Sequence, residues 1–140
     1  MIRWGRESAM AVSQIQPERM QALNGKPVRR GGYVFYWMQQ SQRAEWNHAL
    51  EYAIEQANEL KRPLLVGFGL TDRFPDANLR HYRFMLDGLR ETAFTLRKRG
   101  IPFLLKLGDP AEIALDLAKD ACLLVCDRGY LRIQRGWRRK

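Results

Sequence analysis

From residue 33 onward, short apolar runs alternate with longer amphipathic stretches. YVFYWM at 33–38 is apolar and aromatic, is bounded by Gly31-Gly32 and Gln39-Gln40-Ser41, and reads as a buried strand. Behind it, Trp46, Ala49, Leu50, Ala53, Ile54, Ala57 and Leu60 recur at three- and four-residue spacing, so the pattern predicts an amphipathic helix over 43–60 with these residues on its inner face. Pro63 stops that helix and introduces LLVGFGL at 64–70, a run without strict alternation, as a parallel strand covered on both faces would show. After the loop Thr71 to Asp76, residues Leu79, Tyr82, Met85, Leu86, Leu89, Ala93 and Leu96 restore the helical period over 78–99, with a basic last turn and a stop at Gly100. IPFLLKL at 101–107 is a third strand, Pro110 stands at the first position of a short helix over 110–119, and ACLLVC at 121–126 is a fourth strand.

Strands alternating with helices across short connections specify right-handed βαβ crossovers, hence an α/β doubly wound, Rossmann-like open parallel sheet with helices on both faces. Ligands of such sheets bind at the carboxyl ends of the strands, near the point where strand order reverses. Those ends are Met38 to Arg43, Gly69 to Asp72, Leu107 to Asp109, and Cys126 to Gly129. Architecture thus locates a crevice without naming its occupant.

Length and composition narrow the class. The chain has 140 residues, 46 % of them apolar, enough for one domain with its own core. No window approaches the ~18 uninterrupted apolar residues of a membrane span, and the first fourteen residues carry Arg3, Arg6 and Glu7 without a secretory apolar run, so a cytoplasmic protein is expected. Cys122 and Cys126, four apart on a strand, are expected on one side about 13 Å apart, too far to bridge, and they read as buried thiols. No metal site is expected.

The net charge of +9 lies at the ends: residues 128–140 carry six basic and no acidic side chains, whereas 32–127 carry twelve and thirteen. A nucleic-acid contact through the termini and a merely solvated basic tail are both open readings. Tyr130, Ile133 and Trp137, interleaved with arginines, predict a basic amphipathic helix whose apolar face packs on the sheet.

Chemical motifs are sparse. There is no G-x-G-x-x-G after the first strand and no Gly-Lys-Ser/Thr, so the backbone cradles for pyrophosphate or triphosphate are missing from the sequence. His48 and His81 lie within helices and read as structural or surface residues, and no residue reads as catalytic. The polar cluster Gln39 to Arg43 admits two readings: a capping loop in which Ser41 caps the following helix, or amide and guanidinium groups that hydrogen-bond a heteroaromatic ligand.

Several segments, taken in order, resemble the N-terminal α/β domain of class II DNA photolyases. They are PERMQALN (17–24), YWMQQSQRAEWNHALEYAI (36–54), GLTDRF (69–74), RHYRFMLDGL (80–89), GDP (108–110) and DRGYLRIQRGW (127–137). The resemblance spans about residues 17–138, with residues 1–15 as an N-terminal extension and 16–140 as the domain. Trp46 departs from the acidic residue expected at that position in relatives, and the chain is several times shorter than members of that family.

The resemblance implies a sheet of four to five strands, so that this domain ends short of its fifth strand and without the FAD-binding helical domain. An uncovered apolar face and strand edge would then favour self-association. It further implies light-driven repair of cyclobutane pyrimidine dimers in UV-damaged DNA by the full-length lyase, with FAD held outside this chain. The part left to this domain is that of scaffold and holder of an antenna chromophore, a deazaflavin or a folate, with no catalytic activity of its own. Met38, Gln39, Gln40, Arg43, Phe68, Gly69 and Leu70 are expected to line the antenna crevice, with Asp127 and Arg128 on its far side. The competing expectation is a freestanding nucleotide-binding or adaptor domain of the same architecture.

Overall fold

The computed structural model describes residues 15–140. Its elements run β1 (Tyr33–Trp37), α1 (His48–Leu60), β2 (Leu64–Leu70), α2 (Leu79–Lys98), β3 (Phe103–Leu107), α3 (Pro110–Ala118), β4 (Ala121–Cys126) and α4 (Arg132–Trp137), preceded by a 3-10 turn at Pro17–Arg19. The four strands form one parallel sheet in the order β3-β2-β1-β4. The chain therefore winds outward from β1 to β3 and then crosses to the other side of β1, so strand order reverses between β1 and β4.

Alternation along β1 divides the core in two. Val34, Tyr36 and Met38 face Leu50, Ala53 and Ala57 of α1 and Leu89 and Leu96 of α2. Phe35 and Trp37 face Ala111 and Ala114 of α3 and the half-buried Trp137 of α4. Both faces of β1 are thus sealed, which is why its sequence is continuously apolar. Burying each of these large side chains contributes about 1.5–3 kcal/mol. On the α3 side of β2, Gly69 is a packing requirement: a Cβ there would lie 2.6 Å from the Cα of Pro110, so the first turn of α3 rests directly on the strand backbone.

Helix ends follow their capping chemistry. Asn78 caps α2 by accepting from the N–H groups of Arg80 and His81, and Asp109 caps α3 by accepting from Ala111 and Glu112, with Pro110 at the first helical position. Arg29, in the basic N-terminal segment, donates from its guanidinium to the carbonyls of Ala118, Lys119 and Ala121, placing a cation at the C-terminus of α3. One of the terminal arginines is therefore part of the fold.

Several expectations change. The first helix begins at His48, not at 43: Asn47 is its cap, accepting from Leu50 N–H at 3.2 Å, and Ser41 plays no capping part. Trp46, expected on the buried face, precedes the helix in a left-handed conformation (φ 52°) and is 88 % exposed. Leu79, expected inward, is 81 % exposed at the first position of α2. The third strand is shorter than 101–107, since Ile101 packs under the core before β3 begins.

The cysteines do not share a side. Cys122 packs in the cluster of α1 and α2, whereas Cys126 packs against that of α3. A bulge explains this: β4 pairs Ala121 with Tyr33 but Leu123 with Val34, and the extra residue reverses the alternation beyond it. Both thiols are free. The terminal helix is also shorter than expected, and Tyr130, 74 % exposed, lies outside the packed face, whose buried member is Gln134.

Residues 1–14 of the expected extension lie outside the described residues, and Ile15 is buried. Among the described residues no helix is long and apolar enough to cross a membrane. No group of three or more His, Cys, Asp or Glu gathers among them either.

Candidate functional site

Two arrangements occupy the carboxyl ends of the strands. The first lies at the β1/β4 reversal, where a crevice is expected from topology. Asp127, immediately after β4, fills it. Its carboxylate accepts from the backbone N–H groups of Gln39 (3.1 Å), Gln40 (3.0 Å) and Ser41 (2.7 Å) and from the Tyr36 hydroxyl (3.1 Å). Asn47 completes the network by donating to the Tyr36 oxygen (3.1 Å) and to the carbonyls of Ser41 and Arg43 (both 3.0 Å). Burial, and after it the charge of Asp127, pushes the Tyr36 phenol far above its ordinary range. Burial likewise raises the Cys126 thiol, with Asp127 again second. A buried carboxylate with four donors is a satisfied structural anchor.

The second arrangement is a cavity of about 420 Å³ over the ends of β1 and β2. Met38, Gln39 and Gln40 contribute one wall and Phe68, Gly69 and Leu70 another. The β2–α2 loop closes the outer side through Thr71 and Phe74, with Tyr82 and Met85 of α2 behind it. Tyr82 holds this loop by donating to the Thr71 carbonyl (2.8 Å) and accepting from Phe74 N–H (3.3 Å). Leu131, Gln134 and Trp137 come from α4, and the Trp137 ring meets that of Phe74 at 6.3 Å between centroids, inclined by 60°. Gln134 ties α4 to the β1 end by donating to the Gln40 side-chain carbonyl (2.8 Å).

The walls carry no Lys or Arg among the described residues. Aromatic and aliphatic surfaces with a few amides suit a planar, mostly apolar ring system and give no counter-charge for a chain of phosphates.

Six of the nine expected residues meet here: Met38, Gln39, Gln40, Phe68, Gly69 and Leu70. Three do not. Arg43 turns outward, its Nε donating to the Trp46 carbonyl (3.0 Å). Asp127 is consumed by its four donors, and Arg128 is exposed beside the Tyr130 ring.

Trp37, Phe74, Tyr82, Gln134 and Trp137 were not anticipated as lining residues. Tyr82 and Trp137 lay on apolar helical faces that pointed toward the sheet. That signal fitted a wall of the crevice as well as a core.

A family model described as DNA photolyase matches residues 34–140. The chain is 56 % identical over 124 residues to a deoxyribodipyrimidine photo-lyase of Methanothermobacter thermautotrophicus, covering 88 % of this chain and 28 % of that protein. Deoxyribodipyrimidine photo-lyases of Arabidopsis thaliana and Potorous tridactylus are 39 % and 46 % identical over 102 and 78 residues. Those matches cover 70 % and 56 % of this chain, and 21 % and 15 % of the two relatives. The chain therefore spans less than a third of the length of these curated relatives. With about three quarters of its residues under one family model and its parallel α/β sheet in agreement, the chain belongs to the DNA photolyase family.

Proposed function

We propose that this chain is the antenna-holding α/β part of a deoxyribodipyrimidine photolyase and binds a deazaflavin or a folate in the cavity over β1 and β2. The observation that carries the reading is the aromatic, largely uncharged cavity at the strand ends of a chain from this family. Trp37, Phe68, Tyr82 and Trp137 offer ring faces and edges for stacking, and Met38 and Met85 offer adaptable apolar contact. A bound antenna supplies light absorption, with the excitation passed to a flavin that another part of such an enzyme holds. The residues of this chain orient the ring and keep water from it. Repair of pyrimidine dimers in UV-damaged DNA belongs to the larger enzyme, in which this chain acts as scaffold for the flavin-binding helical domain.

The alternative of a freestanding nucleotide-binding domain finds less support, because no cation lines the cavity among the described residues to meet phosphates. The test is spectroscopic. Adding 5-deazariboflavin or 5-formyltetrahydrofolate to the purified chain is expected to quench emission from Trp37 and Trp137, and binding is expected to alter the ligand's own spectrum. Unchanged tryptophan emission and unaltered ligand spectra at saturating concentrations of both would sink the proposal.

A further inference from the structure

The cavity wall contains an unusual polar defect. Among the described residues, three buried side-chain polar atoms have no hydrogen-bond partner: Nε1 of Trp37 and both amide atoms, Oε1 and Nε2, of Gln39. Trp37 is 5 % and Gln39 6 % exposed, and both line the same cavity. Gln39 follows Trp37 by two positions, just past the end of β1.

Native interiors satisfy nearly all such groups, because each one left unpaired costs about 1–3 kcal/mol. Several neighbouring polar side chains already have partners. Gln40 accepts from Gln134, Asp127 is saturated, Asn47 bonds to Tyr36 and two carbonyls, and Arg43 holds Trp46. Among the buried side chains of the described residues, Gln39 alone leaves both the donor and the acceptor of one planar group unpaired. The amide atoms are buried in the cavity wall, so meeting a ligand takes a turn of the Gln39 side chain toward the cavity.

We infer that Gln39, seconded by Trp37, is the specificity-determining edge of this cavity, and that it reads a lactam group on a planar heterocycle. The Gln39 carbonyl accepts the lactam N–H, the Gln39 NH2 donates to the lactam carbonyl, and Trp37 Nε1–H donates to a further ring acceptor. The inference rests on the antenna reading. It adds which group of the ligand is recognised and by which residue. The pyrimidinedione of a deazaflavin and the pterin of a folate both carry a lactam, so the chemistry is shared and the ligand decides the source.

The experiment measures binding of 5-deazariboflavin, its N3-methyl derivative and 5-formyltetrahydrofolate to the 140-residue chain and to Gln39→Met, by tryptophan quenching. Methylation removes the lactam N–H and leaves the ring. The expected result is at least tenfold weaker binding of the methylated compound to the wild type. In Gln39→Met, affinity for the parent is expected to drop about tenfold and the difference between the two compounds to vanish. If only the folate binds, and Gln39→Met weakens it about tenfold, the inference holds with a pterin as the source.

Equal binding of parent and methylated compound, unaffected by Gln39→Met, would overturn this inference and leave the antenna reading standing. Absence of binding by all three would overturn both. Thermal unfolding without ligand gives a second readout. Gln39→Met is expected to raise Tm, since it removes an unpaired buried amide, and a lowered Tm would mean that the amide is already satisfied and the inference is wrong.

Discussion

The two corners of the sheet's carboxyl edge are one strand apart and differ in one respect: whether their polar groups are spent. At the β1/β4 corner, Asp127 gathers three backbone N–H groups and the Tyr36 hydroxyl, and Asn47 closes the ring. At the β1/β2 corner, Gln39 and Trp37 keep polar atoms without partners beside an open cavity. The first corner is an anchor, and the second is the one we propose as the receptor. Doubly wound folds place ligands where strand order reverses. In this chain a carboxylate of its own fills that position, and the open cavity lies over the ends of β1 and β2.

The contrast can be broken most forcefully at the anchor. Asp127→Ala strands three N–H groups and a phenol without an acceptor, so a loss of about 3–5 kcal/mol in urea unfolding is expected. A loss below about 1 kcal/mol would show that water replaces the carboxylate and that the corner is no anchor.

Gly69→Ala comes next. The new methyl meets the Pro110 backbone, and the expected cost is about 1–3 kcal/mol. Because Pro110 also lines the cavity, this substitution is expected to weaken deazariboflavin binding as well, whereas Asp127→Ala acts through stability.

Alkaline pH sharpens the comparison. The folded-state pKa of Tyr36 lies above its ordinary value of 10.0, so unfolded chains ionise first as pH rises. The contribution of Tyr36 is therefore whole below pH 10 and is lost above it, at about 1.4 kcal/mol per pH unit. Tyr36→Phe is expected to cost about 1 kcal/mol at neutral pH and to flatten this alkaline decline, as followed by denaturant titrations across pH 9–11. Equal alkaline slopes in the two proteins would remove Tyr36 from the anchor.

The smallest effects are expected at Arg43 and Arg128. Their guanidinium groups lie outside the cavity walls, so Arg43→Ala and Arg128→Ala should each change ligand affinity less than twofold in the quenching titration. A tenfold loss at either would extend the receptor toward the β4 corner.

Much of this organisation was legible in the residue pattern, because it follows from local rules. Periods of helix and strand, the stop at Pro63, the Pro at the start of α3 and the apolar runs of β1 and β2 all depend on near neighbours. Six of the expected crevice residues are in the cavity because they simply end strands. The errors fell where a distant group intervened. Trp46 fits the helical period, yet Asp127, 81 positions further on, and Asn47 hold the 39–47 segment as a loop, so the helix starts after it. The bulge in β4 reversed the alternation that would have put both cysteines on one side.

The sequence by itself determined a parallel α/β sheet, its winding and the end at which the cavity opens, since hydrophobic period and turn chemistry act over a few residues. Only the tertiary structure decided which polar groups at that end remain free. Gln39, Gln40 and Asp127 look equally available along the chain. Their fates diverge because backbone N–H groups and Gln134, brought from other elements, consume two of them and leave the third. Hydrogen-bond capacity is a property of each residue, but whether it is spent depends on what the fold brings within about 3 Å.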